Sequence, residues 1–237
     1  MMSLAHPLLD VPAGPALHIP DGFLSTPVST VGWVVAMVAI VVATRQAERQ
    51  MSDRAVPLMG VMAAFIFAAQ MMNFPVAGGT SGHLLGGALA VILLGPWAAI
   101  IVMTAVVGLQ ALLFQDGGLV VLGANIFNMG VLTIGVGYGT YGLLSPLARR
   151  AGGAGLMVAA AVAAWMSVEA SAVVAALELA VSGTSPLNVA LPAMVSVHAL
   201  IGIGEGLITA AALSFIRVTN PGLLAQTSGT MSTEAAR

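Results

Sequence analysis

Long runs of apolar residues, interrupted only by short stretches of glycine, proline and arginine, constrain this chain more than any other feature. Seven runs occur, at residues 27–44, 56–74, 84–94, 97–114, 124–145, 153–181 and 189–216. A membrane core about 30 Å thick needs roughly 20 apolar residues in a helix. Only 7% of the 237 residues are charged and 59% are hydrophobic, too little polar surface for a globule in water. We therefore predict an all-α, polytopic integral membrane protein.

The composition also excludes several classes of protein. The chain has no cysteine, which excludes disulfides, thiolate metal sites and cysteine nucleophiles. It has seven arginines and no lysine, whereas a nucleic-acid-binding protein needs a basic stripe. Without lysine the chain has no phosphate-binding loop of the Gly-x-x-x-x-Gly-Lys-[Ser/Thr] type, so it cannot be an ATPase of that class. We expect contact with the lipid bilayer and none with nucleic acid.

The positions of the arginines predict the orientation in the membrane. They stand at 45, 49, 54, 149, 150, 217 and 237. All fall on one side if a break at Gly95-Pro96 divides residues 84–114 into two crossings. Because positive residues accumulate on the cytoplasmic side, we predict about seven transmembrane helices, with the N-terminus outside and the C-terminus in the cytoplasm, in the inner (cell) membrane. Residues 84–94 are short for a full crossing, which leaves a tilted or half-inserted helix open.

We divide the chain into three parts. Residues 1–16 lack the basic start and the continuous apolar core of a signal peptide, and we attribute this leader to a start site placed too far upstream. Residues 17–217 form a single membrane domain. Residues 218–237 are predicted to be a polar cytoplasmic tail.

Two histidines on the predicted outer side are candidate metal ligands. His83 follows His18 by 65 residues, and imidazole suits nickel, cobalt, copper and zinc. A histidine at the second position of a chain offers its amide, its Nδ1 and the terminal amine in one plane. A further imidazole completes a square-planar nitrogen set, which favours Ni(II) or Cu(II). His18 would occupy that second position only if the chain began at Leu17, and we expect an initiator there.

Several segments resemble the CbiM/NikM family. They are His-Ile-Pro-Asp-Gly-Phe (18–23), Asn-Phe-Pro-Val (73–76), Gly-Thr-Ser-Gly-His-Leu-Leu-Gly-Gly (79–87), Leu-Leu-Gly-Pro-Trp (93–97), Phe-Gln-Asp-Gly-Gly (114–118) and Leu-Gly-Ala-Asn-Ile-Phe-Asn-Met-Gly (122–130). Members of that family are the substrate-capture (S) components of energy-coupling-factor ABC importers for cobalt or nickel, and are not enzymes. The resemblance implies that the backbone nitrogen of Leu17, the amide and ring of His18 and the ring of His83 hold the ion.

The resemblance also implies partners and a substrate. The partners are a transmembrane coupling (T) subunit, ATPase (A) subunits and a small accessory membrane subunit. Co(II) or Ni(II) is the transported ligand, with no resident cofactor, and the choice between a nickel-enzyme and a cobalamin biosynthesis context is open. One alternative is a self-sufficient nickel or cobalt permease. Others are an intramembrane metalloenzyme, whose usual His-Glu-x-x-His motif the chain lacks, and a structural membrane protein without a ligand.

Polar residues within or beside the apolar runs form a second group of candidates. Asn73 is the first choice for orienting a histidine ring, because it is the closest of them in sequence to His83. Hydrogen bonding between helices is the default interpretation of the others, with ring orientation as the functional one, and we interpret Asp116 as a turn residue. These others are Gln110, Asp116, Asn125 and Asn128.

Four ionisable residues lie inside the late apolar runs, where charge is costly. They are Glu169, Glu178, His198 and Glu205. His198 and Glu205 are seven residues apart and therefore share one helix face. An ion path and a polar contact between helices are both open for this group, and we do not assign them as ligands.

Overall fold

The computed structural model describes residues 18–50, 55–76 and 80–222. Its helices are α1 (Thr26–Gln50), α2 (Ala55–Gln70), α3 (Gly87–Leu94), α4 (Pro96–Phe114), α5 (Leu122–Ile126), α6 (Thr133–Ala148), α7 (Gly152–Val181) and α8 (Leu187–Thr219). A π-helical segment, Phe127–Leu132, joins α5 to α6, and a 3-10 turn, Arg149–Ala151, joins α6 to α7. Two short strands, β1 (Asn73–Val76) and β2 (Thr80–His83), form a hairpin between α2 and α3.

Each of the seven apolar runs contains a helix. By length and hydropathy, four segments of the described chain can cross a membrane, namely Thr26–Gln50, Pro96–Phe114, Leu122–Val181 and Leu187–Thr219. The third of these contains α5, α6 and α7, and the chain turns back at Arg149–Ala151 so that α6 packs along α7. The architecture is therefore that of a helical membrane protein, as predicted.

The short third run differs from a full crossing. Helix α3 has eight residues, which span only about 12 Å, and all but its last residue are buried among other helices. It ends where predicted, at Gly95, whose φ of 76° interrupts the helix before Pro96 begins α4. The tilted or half-inserted position of α3 and the count of seven crossings both stay predictions.

The hairpin is the element that the all-α prediction overlooks. Helix α2 ends at Gln70, four residues before the predicted end of its run, and β1 then pairs antiparallel with β2 so that Asn73 stands opposite His83. The strands contain asparagine, proline and glycine, which have low β propensity, and each strand has only four residues. No alternating pattern therefore marks them in the sequence. The hairpin places His83 at the start of a buried turn leading into α3.

One end of the helix bundle gathers the chain before α1 and the connections α4–α5 and α7–α8. We call it the loop end. The Thr184 hydroxyl donates to the carbonyl of Phe23, and Ser182 Oγ lies 3.5 Å from Ser25 Oγ. These contacts tie the residues next to His18 to the connection that precedes α8.

The described arginines lie at the opposite end. Arg217, near the end of α8, has its guanidinium against Gly153, next to the α6–α7 turn that carries Arg149. Arg45 follows the start of α1 by 19 residues, about 28 Å along the helix axis. The structure thus places these side chains at one end, the relative arrangement used to predict orientation. Arg54 and Arg237 lie outside the described residues.

Candidate metal-binding site

The structure brings His18 and His83 into contact. Their ring centroids lie 4.9 Å apart with an interplanar angle of 59°, and the two residues are only 5% and 4% exposed. The segment before α1 supplies one ring and β2 supplies the other. Two imidazoles that are distant in sequence therefore share one buried position near the loop end.

Asp116 holds His18 in place. The backbone N–H of His18 donates to Asp116 Oδ1 at 3.1 Å, and His18 Nδ1 lies 3.1 Å from the Asp116 carbonyl oxygen. The same Nδ1 is 3.8 Å from Oδ1. Asp116 lies in the α4–α5 connection, as its interpretation as a turn residue requires. Its direct contact with the candidate ligand was not predicted.

Burial and hydrogen bonds define the protonation of the His18 ring. Because a carbonyl oxygen can only accept, Nδ1 carries the proton in this arrangement and Nε2 carries the lone pair. Nε2 is buried without a hydrogen-bond partner among the described residues. Burial lowers the pKa of His18 well below its ordinary value, and the nearby His83 lowers it further, while the hydrogen bond to the Asp116 backbone acts in the opposite direction. The ring is therefore neutral, the form that binds metal ions.

Two further side chains fasten the segment that carries His18. Asn125 binds Ile19 twice, accepting from its N–H at 3.2 Å and donating to its carbonyl at 3.0 Å. Asp21 accepts three backbone N–H groups that precede α5, from Leu119, Val120 and Val121, at 3.1, 2.9 and 3.2 Å. Asn125 therefore binds the backbone of the segment before α1. The default interpretation of this residue was a hydrogen bond between helices. Asp21 was not singled out from the sequence.

Gly117 allows this close fit. Its φ is +91°, a conformation that L side chains rarely adopt, and a Cβ at this position would lie 2.8 Å from the His18 Cβ. It would also lie 3.0 Å from the Asn125 amide nitrogen. The glycine following Asp116 is thus required by the approach of His18.

His83 is fixed by the peptide groups around it. Its Nδ1 lies 2.8 Å from the Leu84 carbonyl oxygen, which places the proton on Nδ1 and the lone pair on Nε2. The next two backbone N–H groups, of Leu85 and Gly86, donate to Glu205 at 2.9 and 2.5 Å. Gln70 Nε2 donates to the Leu85 carbonyl at 2.8 Å. Helices α2 and α8 therefore both hold the turn after His83.

The other polar and ionisable residues singled out from the sequence do not contact His18 or His83 in the hydrogen bonds described above. Asn128 lies on the π-helical segment and donates to Glu178 Oε2 at 2.5 Å, the contact between helices that was its default interpretation. Gln110 is fully buried in α4, and its side-chain nitrogen and oxygen have no hydrogen-bond partner among the described residues. Glu169 is buried in α7. The ring-orienting role of Asn73 concerns a side chain outside the described part of the structure, and Leu17 and the leader also lie outside it.

The site offers two side-chain ligands. Within residues 18–50, 55–76 and 80–222, no three histidine, cysteine, aspartate or glutamate side chains are grouped to hold a metal ion. Two imidazoles alone leave a transition-metal ion under-coordinated. Further ligands would have to come from backbone nitrogens, from the preceding chain or from water.

Comparison with known proteins identifies the family. The family model for CbiM, described as a cobalt uptake substrate-specific transmembrane region, matches residues 18–223. The chain belongs to the CbiM family. This confirms the resemblance seen in the sequence motifs, and the CbiM family is one of metal-transporter components rather than of enzymes.

Relatives and solved structures agree with this assignment. A putative metal transport protein of Haloquadratum walsbyi is 41% identical over 88% of this chain and 93% of its own length. A putative fused nickel transport protein NikMN of Archaeoglobus fulgidus is 39% identical over 89% of this chain and 68% of that protein. A cobalt transport protein CbiM of Sorangium cellulosum is 33% identical over 88% and 94%.

A solved structure shares the fold. The crystal structure of a truncated transition metal transporter superposes with a TM-score of 0.78 at 35% sequence identity, and the match covers 84% of this chain and 97% of that one. The chain therefore shares its fold with a protein described as a transition metal transporter.

Proposed function

We propose that this CbiM-family protein is the metal-capture membrane subunit of an energy-coupling-factor ABC importer for Co(II) or Ni(II). The observation that carries the proposal is the buried contact between His18 and His83, with ring centroids 4.9 Å apart. Relatives named as nickel and cobalt transport proteins support the choice of substrate. Imidazole nitrogen is a ligand suited to both ions.

The proposed ligands are four nitrogens. They are the backbone nitrogen of Leu17, the amide and Nδ1 of His18, and a ring nitrogen of His83. The amide nitrogen and Nδ1 of His18 bond to Oδ1 and to the carbonyl oxygen of Asp116, so both atoms face the same residue. Loading an ion there would break both bonds to Asp116, release the amide proton to solvent and move the ring proton from Nδ1 to Nε2, which frees both nitrogens for the metal. A planar set of nitrogens favours Ni(II).

The proposal also gives the direction of transport. The arginine-bearing end lies in the cytoplasm by the positive-inside rule, which leaves the loop end, with His18, facing outward and the ion arriving from outside. We place the membrane domain at residues 17–217 in the cell membrane and the tail, 218–237, in the cytoplasm. Energy would come from T and A subunits, with a small accessory membrane subunit, because the chain has no phosphate-binding loop.

Titration calorimetry with Ni(II) and with Co(II) on the purified protein tests the proposal. We expect tight binding of one ion per chain, lost in His83→Ala without a fall in thermal stability. Thr30→Val is the control, since Thr30 is exposed and its hydroxyl bonds only within its own helix, and it should bind as the wild type does. Equal affinity of His83→Ala and the wild type would contradict the proposal. Co-purification with an ATPase would separate the importer subunit from a self-sufficient permease.

A further inference from the structure

A buried carboxylate on α8 is connected to the ring of His83 through a single peptide group. Glu205 is 3% exposed, and its Oε2 accepts the N–H of Leu85 at 2.9 Å. The carbonyl of that same peptide group belongs to Leu84, and it lies 2.8 Å from His83 Nδ1. The Leu84–Leu85 peptide therefore joins the carboxylate at one side to the imidazole at the other.

The second oxygen of Glu205 fixes the orientation of the turn. Oε1 accepts the N–H of Gly86 at 2.5 Å, so that two consecutive N–H groups bind one carboxylate. A single hydrogen bond would leave the peptide plane free to rotate about the bond, whereas two define its direction. Because the Leu84 carbonyl belongs to this turn, the direction of the His83 ring is defined with it.

The same face of α8 also contacts the chain before His83. A Cβ on Gly82 would lie 3.2 Å from Cε1 and Nε2 of His198 and 2.5 Å from Cδ1 of Ile201. His198, Ile201 and Glu205 follow the spacing of one helix face. This α8 face therefore packs against Gly82 on one side of His83 and binds Leu85 and Gly86 on the other.

Glu205 lies far from both ends of α8, where a carboxylate is costly. It lies 18 residues from the start of α8, about 27 Å along the helix. An ionisable side chain inside a membrane protein is costly to insert, and apolar residues could pack α8 without that cost. In metal sites, a carboxylate that binds the non-coordinating nitrogen of a histidine fixes its tautomer and direction. Here a peptide group stands between the two.

We propose that Glu205 is a positioning residue for metal capture. Through the Leu84–Leu85 peptide it keeps the proton on His83 Nδ1 and presents Nε2 as the ligand atom beside His18. This inference rests on the proposed function, because it assigns Glu205 a role in the same site. It assigns no contact between Glu205 and the ion.

The test compares Glu205→Gln with Glu178→Gln in the full-length protein. A carboxamide offers one acceptor oxygen, and its NH₂ group opposes the second N–H, so Glu205→Gln releases one side of the turn. Glu178 is the matched control, since it is also a carboxylate within a long helix but bonds to Asn128. We expect Glu205→Gln to lower Ni(II) affinity by about 10- to 100-fold. Glu178→Gln should bind Ni(II) as tightly as the wild type.

A spectroscopic measurement separates positioning from general stability. Cu(II) bound to the wild type should show nitrogen hyperfine splitting that includes His83, and Glu205→Gln should lose that nitrogen. Glu205→Asp keeps both acceptors at a shorter reach, and its Ni(II) affinity should fall between those of Gln and the wild type. If the Gln variant does not fold, Glu205→Asp decides by the same two readouts.

The outcomes distinguish this inference from the proposed function. Wild-type Ni(II) affinity in Glu205→Gln, or reduced affinity with an unchanged nitrogen pattern, would overturn the role of Glu205. In both cases the loss of binding in His83→Ala would still support metal capture. Failure of the wild type to bind Ni(II) or Co(II) would instead remove the proposed function itself.

Discussion

Asp116 binds both atoms through which His18 would chelate a metal ion. Its Oδ1 accepts the His18 N–H at 3.1 Å, and its carbonyl oxygen lies 3.1 Å from His18 Nδ1. The residue thus aligns the amide and the ring of His18 before any ion arrives. It must also give up these contacts when the ion binds.

Replacement of Asp116 should weaken metal binding. We expect Asp116→Ala to lower Ni(II) affinity by about 10- to 100-fold, because the residue orients a ligand without coordinating the ion. Asp116→Asn keeps an oxygen that can accept the His18 N–H and should retain more affinity. Titration calorimetry on the two variants shows which of them binds Ni(II) more tightly. An alanine variant that binds as tightly as the wild type would exclude this role.

Asn125 should matter for both stability and binding. Asn125→Leu removes two hydrogen bonds to Ile19 and leaves its partly buried N–H unpaired, at a cost of about 1–3 kcal/mol, while its carbonyl still accepts from Gly118 N–H. We expect a lower unfolding temperature in detergent and weaker Ni(II) binding. Thr30→Val is the control, since Thr30 is exposed and its hydroxyl bonds only within its own helix. Equal stability of Asn125→Leu and the control would show that Ile19 is not held in this way.

A side chain at Gly117 should displace His18. Gly117→Ala combines a φ of +91° with a Cβ 2.8 Å from the His18 Cβ, and the left-handed conformation alone costs about 1–2 kcal/mol. We expect impaired Ni(II) binding by the folded variant. Gly108→Ala is the control, because nothing lies within 4 Å of a Cβ there. Wild-type affinity in Gly117→Ala would mean that His18 does not need this position.

The chain end should be a ligand. If Leu17 is the first residue of the native protein, intact-mass measurement will show a chain that begins there with an initiator methionine. Acetylation of that amine, or an extension before it, should then weaken Ni(II) binding strongly, because the amine nitrogen is lost. Full affinity in an extended protein would contradict the four-nitrogen arrangement.

Much of this organisation could be predicted from the sequence. Runs of apolar residues located every helix, because a membrane helix needs such a run over its whole length. The break at Gly95-Pro96 followed from local backbone chemistry. The motifs around His18 and His83 indicated which residues meet. Each of these signals is local, or belongs to a motif that can be read without the fold.

The remaining features depend on tertiary contacts. The β1–β2 hairpin lacks an alternating pattern and forms where Gly82 packs against His198. Asp21 and Asn125 bind backbone groups about 100 residues away, and a carboxylate or an amide can bind any backbone group within reach. The sequence shows Glu205 to be an ionisable residue in an apolar run, where charge is costly, but its link to His83 runs through a peptide group. Nothing in the sequence marks a contact with the main chain.

Nickel K-edge X-ray absorption on the purified protein tests the central claim most directly, since it reports the atoms around the ion. We predict four nitrogen neighbours in a planar arrangement, with the outer-shell scattering of two imidazoles, in the wild type, and no ion retained by His83→Ala. A six-coordinate wild-type ion with mostly oxygen neighbours, or the wild-type spectrum in His83→Ala, would contradict capture by His18 and His83.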